Sequence, residues 1–500
     1  MKRDPDALHR GTFDLVVLGG GITGAGVALD ATLRGLRVGL IDKGDFASGT
    51  SSISSKLVHG GIRYLEQGQL GLVYEALHER RRLLHNAPHL VWPLKFVIPF
   101  YADSRMPSWK YRLGLLLYDL LAGRGSLQWS RGHSREWMRS HFPTLRPEAL
   151  TGGAEYADAQ MDDARLCIEV LRTASAHGAA VCNYVEAVRI VGGTVSAVDH
   201  LTNRELTIPG KVVINATGPW SDRVRALAGE GGEPLLAPTK GVHLVVPAQR
   251  HGSAFLLLHP RDGRVFFVLP WLGKTLLGTT DTDCPGPPDA LAVTEEDIAY
   301  LLEGYNHHFR PGLQRSDLLG HFVGVRPLAR TRPGEPSARS REWRLVEGGS
   351  GLLTVVGGKY TTYRHMAEKV TDRVMRRLGR RGVCRTRAFR LAGAFQETEM
   401  AAAQERIVRL SQLGLLSEAS GRHLVRRYGR CVSAVLDILA RDPALGRPVV
   451  EGEPDVLAEF VYHRDQEMAC RPEDFLLRRT RLGLFHPKLL ASPPPLAVGG

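Results

Sequence analysis

The chain has 500 residues, 65 basic against 52 acidic, for a formal net charge of +13. That length provides for two or three domains with real apolar cores, and no apolar run approaches the ~18 residues of a membrane-spanning helix. Six cysteines (Cys167, Cys182, Cys284, Cys384, Cys431, Cys470) are scattered without C-x-x-C spacing. Neither a zinc site nor a redox dithiol is indicated, no metal is expected, and a reducing compartment is the simplest setting. The N-terminus, Met1-Lys2-Arg3-Asp4, is charged and leads into the first apolar strand without the apolar core of a signal peptide. Much of the positive excess is local. Eight arginines fall between Asp372 and Arg390, where a solvated helix end and linker is the plain reading, and aromatics are not interleaved with them as a stacking platform for single strands would require. Nucleic acid is therefore not an expected partner.

Leu15-Val16-Val17-Leu18 reads as a buried strand, followed at once by Gly19-Gly20-Gly21-Ile22-Thr23-Gly24, a G-x-G-x-x-G turn, and by a helix starting near Thr23. Gly19 permits the tight turn, Gly21 lets backbone approach a pyrophosphate, and Gly24 lets helix and sheet pack closely. Val38-Gly39-Leu40-Ile41 is a second strand, and Asp42 after it stands where a carboxylate accepts from a ribose. No other segment places this motif between a strand and a helix, so one dinucleotide site is the economical count.

Farther along, Pro107 to Leu121 sets Lys110 and Arg112 beside an apolar stretch with aromatics. It is readable either as a helix lying in a membrane surface or as a core helix, since Asp119 would sit poorly in lipid. Val212 to Gly218 and Leu352 to Gly358 look like buried strands ending in small-residue turns. Between Gly241 and Asp281, short runs such as His243-Leu244-Val245-Val246, Val265 to Leu269 and Thr275 to Gly278 predict an antiparallel sheet. After Leu391 the spacing turns helical, as in 401–410 and 456–468, and the tail Ser492-Pro493-Pro494-Pro495 reads as frayed.

Six segments occur in this order: Ser51-Ser52-Ile53-Ser54-Ser55-Lys56-Leu57-Val58-His59-Gly60-Gly61-Ile62-Arg63-Tyr64-Leu65-Glu66, Asn215 to Trp220, Lys240-Gly241-Val242-His243, Gly278-Thr279-Thr280-Asp281, Gly324-Val325-Arg326-Pro327 and Gly357 to Arg364. Together they resemble the FAD-dependent glycerol-3-phosphate dehydrogenase family, the respiratory type that reduces quinone. The resemblance runs from Phe13 to Arg364 and more weakly through Tyr428-Gly429 and Arg478-Arg479-Thr480. It implies an α/β fold: a Rossmann-like FAD-binding domain completed by distant segments, an antiparallel β-rich substrate cap and a helical C-terminal domain. The expected boundaries are 1–392, with the cap at roughly 235–345, and 393–500. Implied FAD contacts are Gly19, Gly21, Gly24, Asp42, Ser51, Ser52, Lys56, Leu57, Ala216, Gly218, Gly358, Lys359 and Thr361.

The chemistry of the implied reaction, oxidation of sn-glycerol 3-phosphate to dihydroxyacetone phosphate, needs a hydride acceptor, a proton acceptor and a positive pocket for phosphate. Arginine suits phosphate because its planar donors engage two oxygens. Arg326 and Arg341 are the candidates, although the family's Arg-Asp-Tyr step here reads Arg341-Glu342-Trp343. Arg63 and Tyr64 join them by resemblance. Lys359, between Gly357-Gly358 and a helix start, suits a phosphate or the charge on reduced flavin. Histidine suits proton removal near neutrality, and His59 and His243 both lie in motif segments, with no basis in sequence for choosing between them. The expected partners are glycerol 3-phosphate, quinone and an anionic membrane surface, with peripheral attachment to the inner face of the cytoplasmic membrane, and a homodimer is left open. An oxidase delivering electrons to oxygen, and a flavin-binding RNA-modification protein, are the alternatives.

Overall fold

The computed structural model describes residues 1–494 apart from 67, 105, 250–251, 285, 331–341 and 396. Its first sheet has eight strands. The order across it is Arg344–Glu347, Leu353–Val356, Arg204–Asn215, Phe13–Leu18, Val38–Ile41 and Ala180–Cys182, with a hairpin (Val185–Val191, Thr194–Asp199) extending the long third strand. All neighbours from Leu353–Val356 to Ala180–Cys182 are parallel. A parallel sheet is covered on both faces, so its central strands are apolar throughout rather than alternating. Leu15 and Val17 accordingly pack into one cluster, under helices Ile22–Leu33, Asp163–Ala176 and Tyr363–Arg377, while Val16 and Leu18 pack into another beneath the hairpin. The strands predicted at 212–218 and 352–358 join this sheet directly beside the first strand or one place out.

The second sheet has ten strands and is antiparallel except where Ala254–Leu258 runs parallel to Val91–Tyr101. It contains the predicted strands, now bounded as Thr239–Pro247, Val265–Trp271 and Lys274–Gly278, and it is wider than the cap expected at 235–345. Val91–Tyr101, Arg131–Ser134, Leu150–Met161 and the short Leu57–Val58 form its other half. That half was not read from sequence because Pro93 and Pro99 interrupt the first strand and two glycines, Gly152 and Gly153, interrupt the third. Along Thr239–Pro247 the side chains alternate: Val242, Leu244 and Val246 enter one cluster and Val245 another. His243 shares the Val245 face.

Helices Glu397–Gln412, Glu418–Tyr428, Val432–Arg441 and Leu457–Glu467 make the C-terminal region, around Leu424, Val432, Val435, Leu436 and Tyr462. It grips the nucleotide half through buried ion pairs, Arg165 with Glu467 and Arg479 with Asp45 among them. Of the arginines between 372 and 390, Arg373 and Arg377 pair with Glu347, Arg380 with Asp14 and Arg387 with Glu368. Pro495 of the predicted frayed tail lies outside the described residues.

Candidate active site

One cavity of about 540 Å³ runs from the glycine turn to the second sheet. At its nucleotide end Gly19 has φ +105°, a conformation L side chains rarely adopt, and a Cβ on Gly24 would lie 1.9 Å from Gly19 O. The turn thus delivers the helix N-terminus, free N–H groups forward, to the cavity. Ile22 N–H donates to Ser51 Oγ at 2.9 Å, tying the serine-rich loop to that helix. Asp42 accepts from Gly20 N–H at 2.6 Å and from Gly44 N–H at 2.8 Å, one on each oxygen, leaving lone pairs for ribose hydroxyls. Burial pushes its carboxyl up to about 6. Gly21, Ser51, Leu57, Ala216, Gly218, Gly358 and Thr361 also line the wall.

At the other end His59, Tyr64, His243, Arg326 and Lys359 face the same space, brought there by four separate stretches of chain. Lys359 Nζ stands 3.7 Å from the centroid of the Tyr64 ring, a cation–π contact. His59 N–H donates to Thr361 Oγ1 at 3.2 Å. The His243 ring stacks on Phe322 at 4.9 Å and 12°, and its Nε2 shares a 2.9 Å hydrogen bond with Ser55 Oγ. Gly278 on the adjacent strand leaves room for that ring: a Cβ there would lie 2.2 Å from His243 Cδ2. Burial above all, then the charges of Lys56 and Arg326, hold the His243 imidazole well below its usual range, so it is neutral at physiological pH. Arg326 Nη1 donates to Asp281 Oδ1 at 2.9 Å, and Nη2 donates to Thr279 Oγ1 at 2.8 Å and to Thr280 O at 3.0 Å.

Several expected contacts stand off the wall. Lys56, in a left-handed conformation at φ +60°, is turned into the protein, where Nζ donates to both oxygens of Asp163 at 2.9 and 2.7 Å. Burial lowers its ammonium to about 8 against the opposing pull of Asp163. Ser52 is buried, its carbonyl taken by Lys56. Gly24 shapes the turn from behind, and Arg63 lies against the Tyr64 ring at 5.2 Å rather than in the wall. Arg341 lies outside the described residues. Ser55 and Asp281 enter the site although sequence reasoning gave them no role; both sit inside quoted motifs, and only the pairing of distant strands shows which neighbours they meet. Away from the cavity, His423, Asp455 and Glu459 cluster with metal-like spacing, but Arg427 Nη1 donates to Asp455 at 2.5 Å and to Glu459 at 2.6 Å, so a guanidinium supplies the positive charge there.

The family model of FAD-dependent oxidoreductases matches residues 14–364, and that of the C-terminal domain of alpha-glycerophosphate oxidase matches 384–492. A mitochondrial glycerol-3-phosphate dehydrogenase of Arabidopsis thaliana is 37% identical over 95% of this chain and 80% of its own length. An aerobic glycerol-3-phosphate dehydrogenase of Staphylococcus aureus is 36% identical over 96% and 89%. Among solved structures, the glycerol-3-phosphate dehydrogenase of Bacillus halodurans complexed with FAD superimposes with a TM-score of 0.79, at 32% identity, over 97% of this chain and 89% of that one. The L-alpha-glycerophosphate oxidase of Mycoplasma pneumoniae shares the fold, with a TM-score of 0.58 at 18% identity over 76% of this chain and 99% of that one. The glycine cradle, the forward-facing helix N-terminus and the Asp42 acceptor fit the adenosine diphosphate half of FAD. This chain belongs to the FAD-dependent glycerol-3-phosphate dehydrogenase family.

Proposed function

We propose that the chain oxidises sn-glycerol 3-phosphate to dihydroxyacetone phosphate, with FAD as hydride acceptor, and passes the electrons to a membrane quinone. The observation that carries this reading is the meeting of His59, Tyr64, His243, Arg326 and Lys359 in the one cavity that begins at the dinucleotide turn. Bound FAD supplies the hydride acceptor and holds two electrons until a second acceptor takes them. The chain supplies the rest. His243, neutral and buried, takes the proton from the substrate hydroxyl; Ser55 Oγ, in the wall and 2.9 Å from Nε2, gives that proton a path. Arg326 and Lys359 make this end of the cavity positive. Partners already share both Nη groups of Arg326, so a ligand must displace some of them, which favours a doubly charged phosphate over a neutral hydroxyl.

The acceptor side rests on helix Ser108–Ala122. Trp109, Leu113, Leu116 and Leu120, spaced for one face, are 60%, 58%, 50% and 59% exposed, with Lys110 and Arg112 beside them. Leu115, Tyr118 and Ala122 point inward, and Asp119 is buried, accepting from Ser130 N–H at 2.8 Å and Ser130 Oγ at 2.6 Å. The objection that Asp119 would sit in lipid is thereby met, since it lies on the other face. Exposed Leu70 and Tyr74 on helix Leu70–Asn86 and exposed Trp129 add apolar surface. Among the described residues no helix is long and apolar enough to cross a membrane, so attachment through such a face is interfacial. Oxygen is the rival acceptor. The 36–37% identical relatives bear the name dehydrogenase, which favours an acceptor other than oxygen.

The test is anaerobic. Glycerol 3-phosphate should bleach the bound flavin, a quinone analogue should restore its absorbance quickly and air slowly, and the protein should float with anionic liposomes, losing part of that binding in high salt. Rapid reoxidation by air with no response to quinone would establish an oxidase instead.

A further inference from the structure

The carboxylate of Asp163, at the first residue of helix Asp163–Ala176, is fully buried and gathers an unusual number of donors. Ser54 donates to its Oδ2 from backbone N–H at 3.1 Å and from Oγ at 2.7 Å. Lys56 Nζ donates to both oxygens, and Arg481 Nη2, arriving from the C-terminal region, donates to Oδ1 at 2.6 Å and to Asp162 Oδ1 at 2.8 Å. Arg481 is 1% exposed and also donates through Nη1 to the carbonyls of Ser52 and Leu477. Two acids, Asp162 and Asp163, thus face two cations, Lys56 and Arg481, all four buried. Three of the groups so held, Ser52, Ser54 and Lys56, belong to the loop whose other serines work in the cavity: Ser51 receives Ile22 N–H at the nucleotide end, and Ser55 meets His243 at the reacting end.

We infer that Arg481 is a positioning residue for the oxidation: through Asp163 and the Ser52 carbonyl, the C-terminal region fixes the 51–56 loop so that Ser55 holds His243. The physical grounds are the two-armed geometry and the burial. A guanidinium can engage two carboxylates and two carbonyls at once, and a lysine ammonium cannot reproduce that planar set. Displacing Ser55 by about 1 Å is enough to reduce turnover by up to about a hundredfold. The effect reaches substrate through other residues, since Arg481 itself is not in the cavity wall.

This inference rests on His243 as the proton acceptor, and the experiment separates the two. Holoenzyme carrying Arg481→Lys is compared with Ser55→Ala, the double variant, His243→Gln and Arg34→Lys, the last loosening the buried Arg34–Asp30 pair at the far end of helix Ile22–Leu33, outside the cavity wall. Expected for Arg481→Lys is a fall in kcat of roughly ten- to a hundredfold with KM for glycerol 3-phosphate changed far less. Ser55→Ala should then cost much less in the Arg481→Lys background than in the parent, because the two act on one contact. Arg34→Lys should lower the melting temperature and leave kcat alone. Ser54→Ala, which loosens the same carboxylate by one hydroxyl, gives the measurement a second route should Arg481→Lys fail to fold, and it too should lower kcat. The inference is overturned if Arg481→Lys, or Ser54→Ala in its stead, behaves like Arg34→Lys, or if the Ser55 and Arg481 effects simply multiply, while His243→Gln remains impaired. Unimpaired turnover in His243→Gln would overturn the proton-acceptor reading itself.

Discussion

The two ends of the cavity are built by different means. The nucleotide end is made from main chain: a left-handed glycine, a position where no Cβ fits, amides presented by a helix, and Asp42 tied by two backbone N–H groups. The reacting end is made from side chains that lean on other side chains, His243 on Phe322 and Ser55, Arg326 on Asp281 and Thr279, Lys359 on Tyr64. Backbone geometry is set within some thirty consecutive residues, whereas the side-chain assembly exists only once strands separated by 75 to 103 residues have paired. Damage at the first end should therefore appear as lost cofactor, and damage at the second as lost turnover with cofactor retained.

The strongest way to break this contrast is Gly24→Val. A Cβ there meets a backbone oxygen that cannot swing aside, so the purified variant should carry no flavin absorbance near 450 nm, or be insoluble. Normal flavin content would contradict the main-chain account. His243→Gln comes next, with kcat reduced roughly 10²- to 10⁴-fold and flavin content unchanged. Its companion is the pH profile. Because burial, Lys56 and Arg326 lower the folded imidazole well below 6.5, it stays a proton acceptor as pH falls through 6.5, and the His243 contribution to the acid limb of kcat/KM in the parent enzyme should lie well below that value. A limb centred at or above 6.5 would assign the proton to another group.

Arg326→Lys should cost ~1.5–3 kcal/mol of transition-state binding for glycerol 3-phosphate, read as a ten- to hundredfold fall in kcat/KM with flavin retained. Glycerol should be a poor substrate for both proteins. At the opposite end Asp42→Ala should weaken FAD binding by ~1.5 kcal/mol while leaving kcat at saturating FAD intact, since the carboxylate already shares itself with two amides. Equilibrium dialysis checks it, and undiminished retention would remove Asp42 from the site. The smallest effect on chemistry belongs to Leu113→Glu with Leu116→Glu: dye-coupled turnover should be unchanged and liposome flotation reduced. Loss of dye-coupled turnover would mean that this face serves the fold rather than lipid.

The same division governs what could be read from sequence. The glycine turn, its strands and Asp42 were legible because each requirement is local: a left-handed φ, a missing Cβ, an acid at a strand end. The distant strands at 212–218 and 352–358 were legible as strands, but their places beside Phe13–Leu18 came by resemblance. Half of the second sheet was hidden by Pro93, Pro99, Gly152 and Gly153, which local propensity reads as breakers and which the sheet accommodates. Lys56 could not be placed because its direction depends on a left-handed backbone that no neighbouring glycine announced. The two readings of 107–121 could not be decided because burial of Asp119 on one side and exposure of Leu113 on the other are facts of packing: the buried face packs on the core, and the exposed face is the one proposed to meet lipid.

The seam between the nucleotide half and the C-terminal helices also bears on how this protein can be handled and how it could have evolved. Asp45, Asp162 and Asp163 on one side are matched by Arg478, Arg479 and Arg481 on the other, and Arg165 by Glu467, all buried. A fragment ending near residue 392 would leave Asp45, Asp162 and Arg165 without their ion-pair partners and Asp163 with Lys56 and Ser54 alone, and would open all four to water. The oxidising half is thus not a free-standing module to which helices were appended: a cut at this boundary, or a graft onto a foreign C-terminal region, succeeds only if the new neighbour brings its own arginines to the same three acids.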